Sequence, residues 1–276
     1  MPELPEVETI AARLRLGSGD APPLLGKTIT RARLLWERTL VTPGAEEFLA
    51  RITNQRFREV GRRGKFLIFT LSPDSLLLHL RMSGDIWLEP QTTEVAKHHR
   101  LLLELDDGWR LAFNDARKFG RLWLVADPAT VLKDLGPEPL DAGFRPNEFY
   151  RRLHASRRQL KPLLLDQSFL AGLGNIYTDE ALHMAGLHPC TLSDATSLAQ
   201  AQKLWHSIQE VVREGIRRNG ASIDWVYRGG DFQNHFRVYQ RTGQPCPVCG
   251  TPIQRKVVGQ RGTHICPLCQ PEPGEG

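Results

Sequence analysis

Pro2-Glu3-Leu4-Pro5-Glu6-Val7-Glu8 opens the chain, and its reading decides how the first half is arranged. Pro5 suits the first turn of a helix, because the N–H it lacks has no intrahelical partner there. Leu4, Val7, Ile10, Ala11 and Leu14 recur at helical spacing, so a helix with one apolar stripe is expected, and that stripe needs a core to face. The polar end carries chemistry of its own. Once Met1 is removed, Pro2 presents a secondary amine. An α-amino group titrates near ~7.7–8.0, so part of it is an unprotonated nucleophile at neutral pH. Glu3 and Glu6 set two carboxylates beside it. An amine that attacks carbon and an acid that protonates a leaving oxygen are the minimum set for imine catalysis. The same residues also suit an ordinary helix start, where acids complement the dipole.

Outward from this helix the pattern turns to strands. Residues 66–71 and 76–80 flank Ser72-Pro73-Asp74-Ser75. Residues 101–105 and 109–113 flank Asp106-Asp107-Gly108, a hairpin signal. Residues 27–35, 57–60 and 121–125 add further β-type runs. Strands at this spacing read as an antiparallel sandwich or barrel, with the first helix packed on its edge. Leu135-Gly136-Pro137-Glu138-Pro139-Leu140 then breaks the composition. Beyond it the period is helical, over 147–154, 160–166, 173–185 and 194–218, with Ser193 as the expected N-cap of the last helix.

A chain of 276 residues can hold two cores. Its 41% hydrophobic and 24% charged content is that of a soluble globular protein. With no run of about 18 apolar residues and no apolar leader, neither a membrane span nor secretion is expected, and the chain reads as cytoplasmic. The net charge of +5 permits a polyanionic partner. Its distribution says more: residues 232–271 contain no Asp or Glu, yet hold Arg237, Arg241, Arg255, Lys256 and Arg261. In a cytoplasmic chain cysteines argue against disulfides. Cys246-Pro-Val-Cys249 and Cys266-Pro-Leu-Cys269, sixteen residues apart, have the spacing of a closed four-sulfur site for one structural zinc. His264 is an additional ligand that such a site does not need, and Cys190 is left over.

Several loops carry candidate residues. Arg62-Arg63-Gly64-Lys65 is either a solvated basic loop or a phosphate contact in which Lys65 donates a proton. His79-Leu80-Arg81-Met82-Ser83-Gly84 puts a methionine on a loop, where core filling is the plainer use. Asn114-Asp115-Ala116-Arg117-Lys118-Phe119-Gly120 sets a phenylalanine among basic residues, which suits insertion into a base step, although a packed ring is the plainer reading. Gly172-Leu173-Gly174-Asn175 offers bare N–H groups at a helix start, which suit phosphate or simply a tight turn.

Taken in order, these segments resemble the formamidopyrimidine-DNA glycosylase family nearly end to end. The resemblance implies a multidomain α+β protein. Residues 1–134 would form a catalytic β-sandwich domain with a leading helix and 135–146 a hinge. Residues 147–235 would form a helix–two-turns–helix DNA-binding domain and 236–276 a β-hairpin zinc finger. It implies a bifunctional glycosylase and abasic-site lyase that flips oxidised purines such as 8-oxoguanine and formamidopyrimidines out of double-stranded DNA. Pro2 would be the nucleophile, Glu3 the acid, Lys65 and Arg261 the proton donors of two eliminations, and Glu6 a positioning group. Met82, Arg117 and Phe119 would fill the hole left by the extruded base. His79, His98, Arg157, Lys161, Asn175 and Arg261 would contact DNA. The protein would act as a monomer, with no membrane partner. Ala116 stands where the family has Pro, Ala221-Ser222 where it has Thr-Thr, and Gln240 where Gly is common. Two readings remain beside this one: a relative preferring oxidised pyrimidines, against which the Leu4 and Val7 start argues, and a zinc-finger DNA-binding protein without catalysis.

Overall fold

The structure, a computed structural model, describes residues 1–223 and 229–274. In chain order it contains α1 (Leu4–Leu16), β1 (Ile29–Leu34), β2 (Leu40–Thr42), α2 (Ala45–Ile52), β3 (Glu59–Arg63), β4 (Phe66–Thr70), β5 (Ser75–His79), β6 (Gly84–Pro90), β7 (His99–Leu105), β8 (Trp109–Asp115) and β9 (Arg121–Val125). There follow α3 (Ala129–Leu132), α4 (Pro146–His154), α5 (Leu160–Leu165), α6 (Asn175–Ala185), α7 (Leu198–Arg217), β10 (Gln254–Val258) and β11 (Arg261–Ile265). Residues 1–133 and 221–230 cluster into one compact unit, and residues 134–220 and 231–276 into another.

The first unit is a β-sandwich. One sheet has the order β1-β7-β8-β6 and the other β2-β9-β5-β4-β3. All pairings are antiparallel except β2 with β9, which run parallel. The apolar stripe of α1, Val7, Ile10, Ala11 and Leu14, joins one core with Leu67, Phe69, Leu78, Leu103 and Phe113 of both sheets. Burying each of its larger side chains is worth about 1.5–3 kcal/mol. The helix touches β3 and β6, which are the outer strands of the two sheets, so it covers an edge of each, as its pattern implies. Four elements, β2, α2, β6 and α3, were not expected. The apolar face of α2 is only two buried residues wide, Phe48 and Ile52. The alternation of β6 is interrupted because Glu89 turns inward to accept a 2.8 Å hydrogen bond from Arg110 Nε.

In the second unit α4, α5 and α6 pack around α7 or one another. Gly215 lets α7 approach α6 closely, since a Cβ there would lie 2.5 Å from the Tyr177 ring. Trp205 packs against Phe144 and Phe149 with ring centroids 4.9 and 5.2 Å apart. The last helix starts four residues later than the expected Ser193 cap. Ser197 and Gln200 form a reciprocal capping box, with Gln200 N–H donating to Ser197 Oγ at 3.2 Å and Ser197 N–H to Gln200 Oε1 at 2.8 Å. Two satisfied donors there outweigh a lone serine upstream, and residues 193–195 form a short 3₁₀ turn instead.

Candidate DNA-processing site

In the first unit the amino terminus is buried, including Pro2, Glu3 and Glu6. Glu3 is the N-cap of α1, and its carbonyl accepts the first helical bond from Val7 N–H at 3.1 Å. Glu6 is the pin of this end. Its Oε2 accepts Glu3 N–H at 2.8 Å and its Oε1 accepts Ala221 N–H at 2.7 Å. A carboxylate taking two backbone N–H groups makes short, charge-assisted bonds and leaves neither group orphaned. Ala221 is thereby tied to the cap that presents Pro2. Residues 224–228, which follow the Ala221-Ser222 departure from the family pattern, lie outside the described residues.

Lys65 closes the two-residue hairpin between β3 and β4, where Gly64 supplies the φ of +56° such a turn requires. Although a hairpin tip is commonly solvated, Lys65 is buried. His79, at the end of β5, packs its ring edge-on against Phe66 with centroids 4.8 Å apart. Its Nδ1 accepts Arg81 N–H at 3.0 Å, which fixes the neutral tautomer with a proton on Nε2. Burial first, then the Arg81 and Lys65 charges, pull His79 down to about 3. Burial also lowers His99, against the pull of Glu89 and with the push of Arg110 and Arg100. The sign follows. A histidine held neutral in the fold takes up its proton more readily when unfolded. Its stabilisation is therefore complete above the unfolded value of ~6.5 and is lost as pH falls below it. His79 alone should cost about 1 kcal/mol of stability between pH 7.5 and 5.5. Urea midpoints at the two pH values check this. His79→Gln should shrink the difference between them, and an undiminished difference would mean that His79 is protonated in the fold.

Asp115, fully buried at the end of β8, organises the next group. Its carboxylate accepts Gly120 N–H at 2.7 Å, Arg117 N–H at 3.2 Å and the Ser83 hydroxyl, while its own N–H donates to His98 O at 2.8 Å. One aspartate thus gathers the Met82 loop, the Arg117–Phe119 turn and His98. The expected wedge residues stand out from it: Met82 is 38% and Phe119 47% exposed, and the Arg117 guanidinium lies 5.1 Å from the Phe119 ring centre. Such exposure of a large ring decides against the packed reading. Lys118 takes a left-handed φ of +61° and reaches over the Trp36 ring at 3.9 Å, which steadies the turn without the proline the family has there. Beside Ser83 opens a cavity of about 600 Å³, lined among the described residues by Ile10, Arg13, Asp85, Trp87 and Asn114. Asp115, Arg13 and Asp85 were not singled out from the sequence, where only their neighbourhood to Met82 and the first helix marked them.

In the second unit Asn175 begins α6 and Arg261 begins β11. Gly259 and Gln260, both at positive φ, make the two-residue turn that carries Arg261 at an exposed tip. Arg157 is exposed and only 3.9 Å from Asp194 Oδ2, a loose ion pair. Lys161 is different. Its side chain is fully buried, with Nζ 2.5 Å from Asp179 Oδ1 and donating to Gly262 O at 3.1 Å. The ammonium expected to meet DNA is thus enclosed between the Asp179 carboxylate and the Gly262 carbonyl. Asn175 Nδ2 donates to the same Gly262 O at 2.9 Å. Glu180 accepts the N–H groups of Arg237, Val238 and Tyr239 at 2.8, 3.0 and 2.8 Å, fixing the lead-in to the finger. Gln240 follows at φ +57°, a conformation that explains why glycine is common there.

The sulfurs of Cys246, Cys249, Cys266 and Cys269 lie within 4.8 Å of one another, with separations of 3.4, 3.5 and 3.8 Å between three of the pairs. A tetrahedron of sulfurs ~2.3 Å from zinc has edges of about 3.8 Å, so the set fits one structural zinc. His264 stays outside it, with its N–H and Nδ1 on Asp179 Oδ2 at 2.9 and 3.2 Å. His183 Nε2, 3.3 Å from Cys246 Sγ, stands behind that sulfur. Because zinc supplies on the order of 10 kcal/mol to such a module, its removal should unfold the finger and leave the sandwich intact. Metal analysis should give one zinc per chain. Cys249→Ser should lose the metal and most DNA affinity without lowering the melting of the first unit, and undiminished affinity in metal-free protein would refute this role.

Comparison with known proteins covers the chain in three parts. Residues 1–122 match the formamidopyrimidine-DNA glycosylase N-terminal domain, residues 135–226 its H2TH domain, and residues 243–271 a zinc finger found in FPG and IleRS. The chain is 46% identical over 279 residues to the formamidopyrimidine-DNA glycosylase of Chloroflexus aurantiacus, with 98% of each chain covered. It is 41% identical to that of Ligilactobacillus salivarius, covering 98% of this chain and 99% of the relative. Among solved structures it is similar to Lactococcus lactis Fpg in complex with DNA containing an abasic site, and to the same protein with Fapy-dG DNA. Both have a TM-score of 0.90 and 35% identity over 98% of this chain and 100% of the other. No helix among the described residues is long and apolar enough to cross a membrane. Matches to all three domains in sequence order, with identity of this level over almost the whole length, place the chain in the formamidopyrimidine-DNA glycosylase family.

Proposed function

We propose that this chain removes oxidised purines, 8-oxoguanine and formamidopyrimidines, from duplex DNA and then cuts the abasic site by β- and δ-elimination. The enzyme class, a DNA glycosylase that is also an abasic-site lyase, comes with the family. The observation that carries the finer reading is the buried Pro2–Glu3 terminus pinned by Glu6. Flipping the damaged nucleotide costs a few kcal/mol. Met82, Arg117 and Phe119 offset this by occupying the vacated stack, where an aromatic on a base is worth ~1–3 kcal/mol. The cavity beside Ser83, with Arg13 and Asp85 on its wall, is roomy and polar enough for a purine.

The Pro2 nitrogen attacks the sugar C1′. The N–C bond forms as the glycosidic bond breaks, and the base leaves with its electron pair and takes up the proton that the Pro2 nitrogen sheds. Glu3 protonates the ring oxygen as the sugar opens, which gives an iminium. That cation draws electrons, so loss of a C2′ proton expels the 3′ phosphate and loss of a C4′ proton then expels the 5′ phosphate. Lys65 and Arg261 serve the proton transfers of these two steps. His79 meets phosphate as a neutral Nε2–H donor, His98 and Arg157 as surface contacts, and Asn175 with the first N–H groups of α6. Lys161 positions the hairpin through its bond to Gly262 O. The protein acts as a monomer in the cytoplasm. A labelled duplex with one 8-oxoguanine tests the reading. The expected product is a strand gap with phosphate on both ends. Cutting of an oxidised-pyrimidine duplex with none of the 8-oxoguanine duplex would transfer the chain to the other substrate class.

A further inference from the structure

We propose that Asp179, a residue outside the finger, is the positioning residue that sets Arg261 for the last elimination. This rests on the role given to Arg261 above. Asp179 is 1% exposed on α6, and its carboxylate divides its bonds. Oδ1 accepts Lys161 Nζ at 2.5 Å, and Lys161 passes a second bond to Gly262 O at 3.1 Å. Oδ2 accepts His264 N–H at 2.9 Å. One carboxylate therefore holds residues 262 and 264, the first and third positions after Arg261, through one mediated and one direct bond. Asn175 Nδ2 adds a second donor to Gly262 O at 2.9 Å, and Thr263 Oγ1 donates to Arg261 O at 3.0 Å. The peptide groups around Arg261 thus have fixed partners while its guanidinium is exposed at the tip.

The form of this anchor matters. An apolar contact between α6 and β11 would bury as much surface but would tolerate sliding. Directional bonds from a buried ion pair fix a register, which is the best attested use of such pairs. A slip by one residue along β11 would move the Arg261 side chain to the other face of the hairpin. Zinc holds the far end of the same hairpin through Cys266 and leaves the tip, five residues away, to Asp179.

The test uses full-length, zinc-loaded protein on a duplex with a preformed abasic site. Asp179→Asn should keep one zinc per chain and an unchanged rate of borohydride trapping, while the ratio of β,δ product to β product falls at least tenfold. A second variant separates positioning from mere stability. The pair Lys161→Met with Asp179→Leu removes both buried charges and should restore the melting temperature without restoring the product ratio. Recovery of the ratio together with stability would overturn the proposal, as would an unchanged ratio in Asp179→Asn. Arg261→Ala is measured alongside. If it leaves the ratio unchanged, the role of Arg261 itself has failed; if only the Asp179 variant does so, the positioning alone has failed.

Discussion

Borohydride added to Met-free protein and an 8-oxoguanine duplex will join one DNA strand to one protein chain through Pro2. The reduced iminium becomes a stable amine, so the adduct survives denaturation, and its mass is that of the protein plus the trapped strand less the excised base. The expectation follows from the position of Pro2, whose nitrogen is nucleophilic only without Met1. At neutral pH an α-amino group near ~7.7–8.0 leaves roughly a tenth of the chains with a free electron pair. Protein that keeps Met1 has an amide at that atom, with its electron pair delocalised into the carbonyl. Trapping should then fall to background, a loss of several orders of magnitude, while DNA binding through the finger persists. Intact mass identifies which form is present, so a negative result cannot hide behind incomplete processing. Active, Met-free protein that gives no adduct would end the imine mechanism for this chain.

How far the sequence carried can be read from particular residues. The zinc site was legible because its chemistry needs only four thiolates at fixed spacing, and the fold brings those four together. The hairpin at Asp107-Gly108 was legible for a similar reason, since it rests on local backbone demands, while the helix expected from Leu173 begins two residues later, at Asn175. What escaped was polarity turned inward. Lys161 reads as a surface cation until Asp179, eighteen residues on, is seen to neutralise it in the interior. Glu89 concealed β6 in the same way, because its partner Arg110 lies on another strand. Asp115 appeared as a turn residue, yet it joins three loops that are separate in sequence. Pairing between distant polar groups leaves no period in the chain, so neither spacing nor propensity announces it. The parallel β2–β9 pair was hidden because β2 is only three residues long.

The sharpest separation of activities is expected from Glu3→Gln. Breaking the bond to an intact base requires a proton at the ring oxygen as the sugar opens, and Glu3 adjoins the nucleophile. An abasic site has already lost its base and equilibrates with the open aldehyde, so Pro2 attacks it with less help. Glutamine keeps the shape and the N-cap backbone but cannot deliver the proton. General acid catalysis contributes about 10²–10⁴-fold, so base excision should fall by that factor while cleavage of a preformed abasic site keeps a substantial part of its rate. Glu6 is a poor substitute for the acid, because both its oxygens already accept N–H groups, from Glu3 and Ala221. Glu6→Gln would place an NH₂ against one of those donors, and its effect should appear in stability and in both activities together. Single-turnover rates of each variant on the two duplexes decide between these roles. Equal losses in Glu3→Gln on both substrates would assign Glu3 to imine formation itself, and no loss on either would send the proton to another group, with Glu6 the next residue to test.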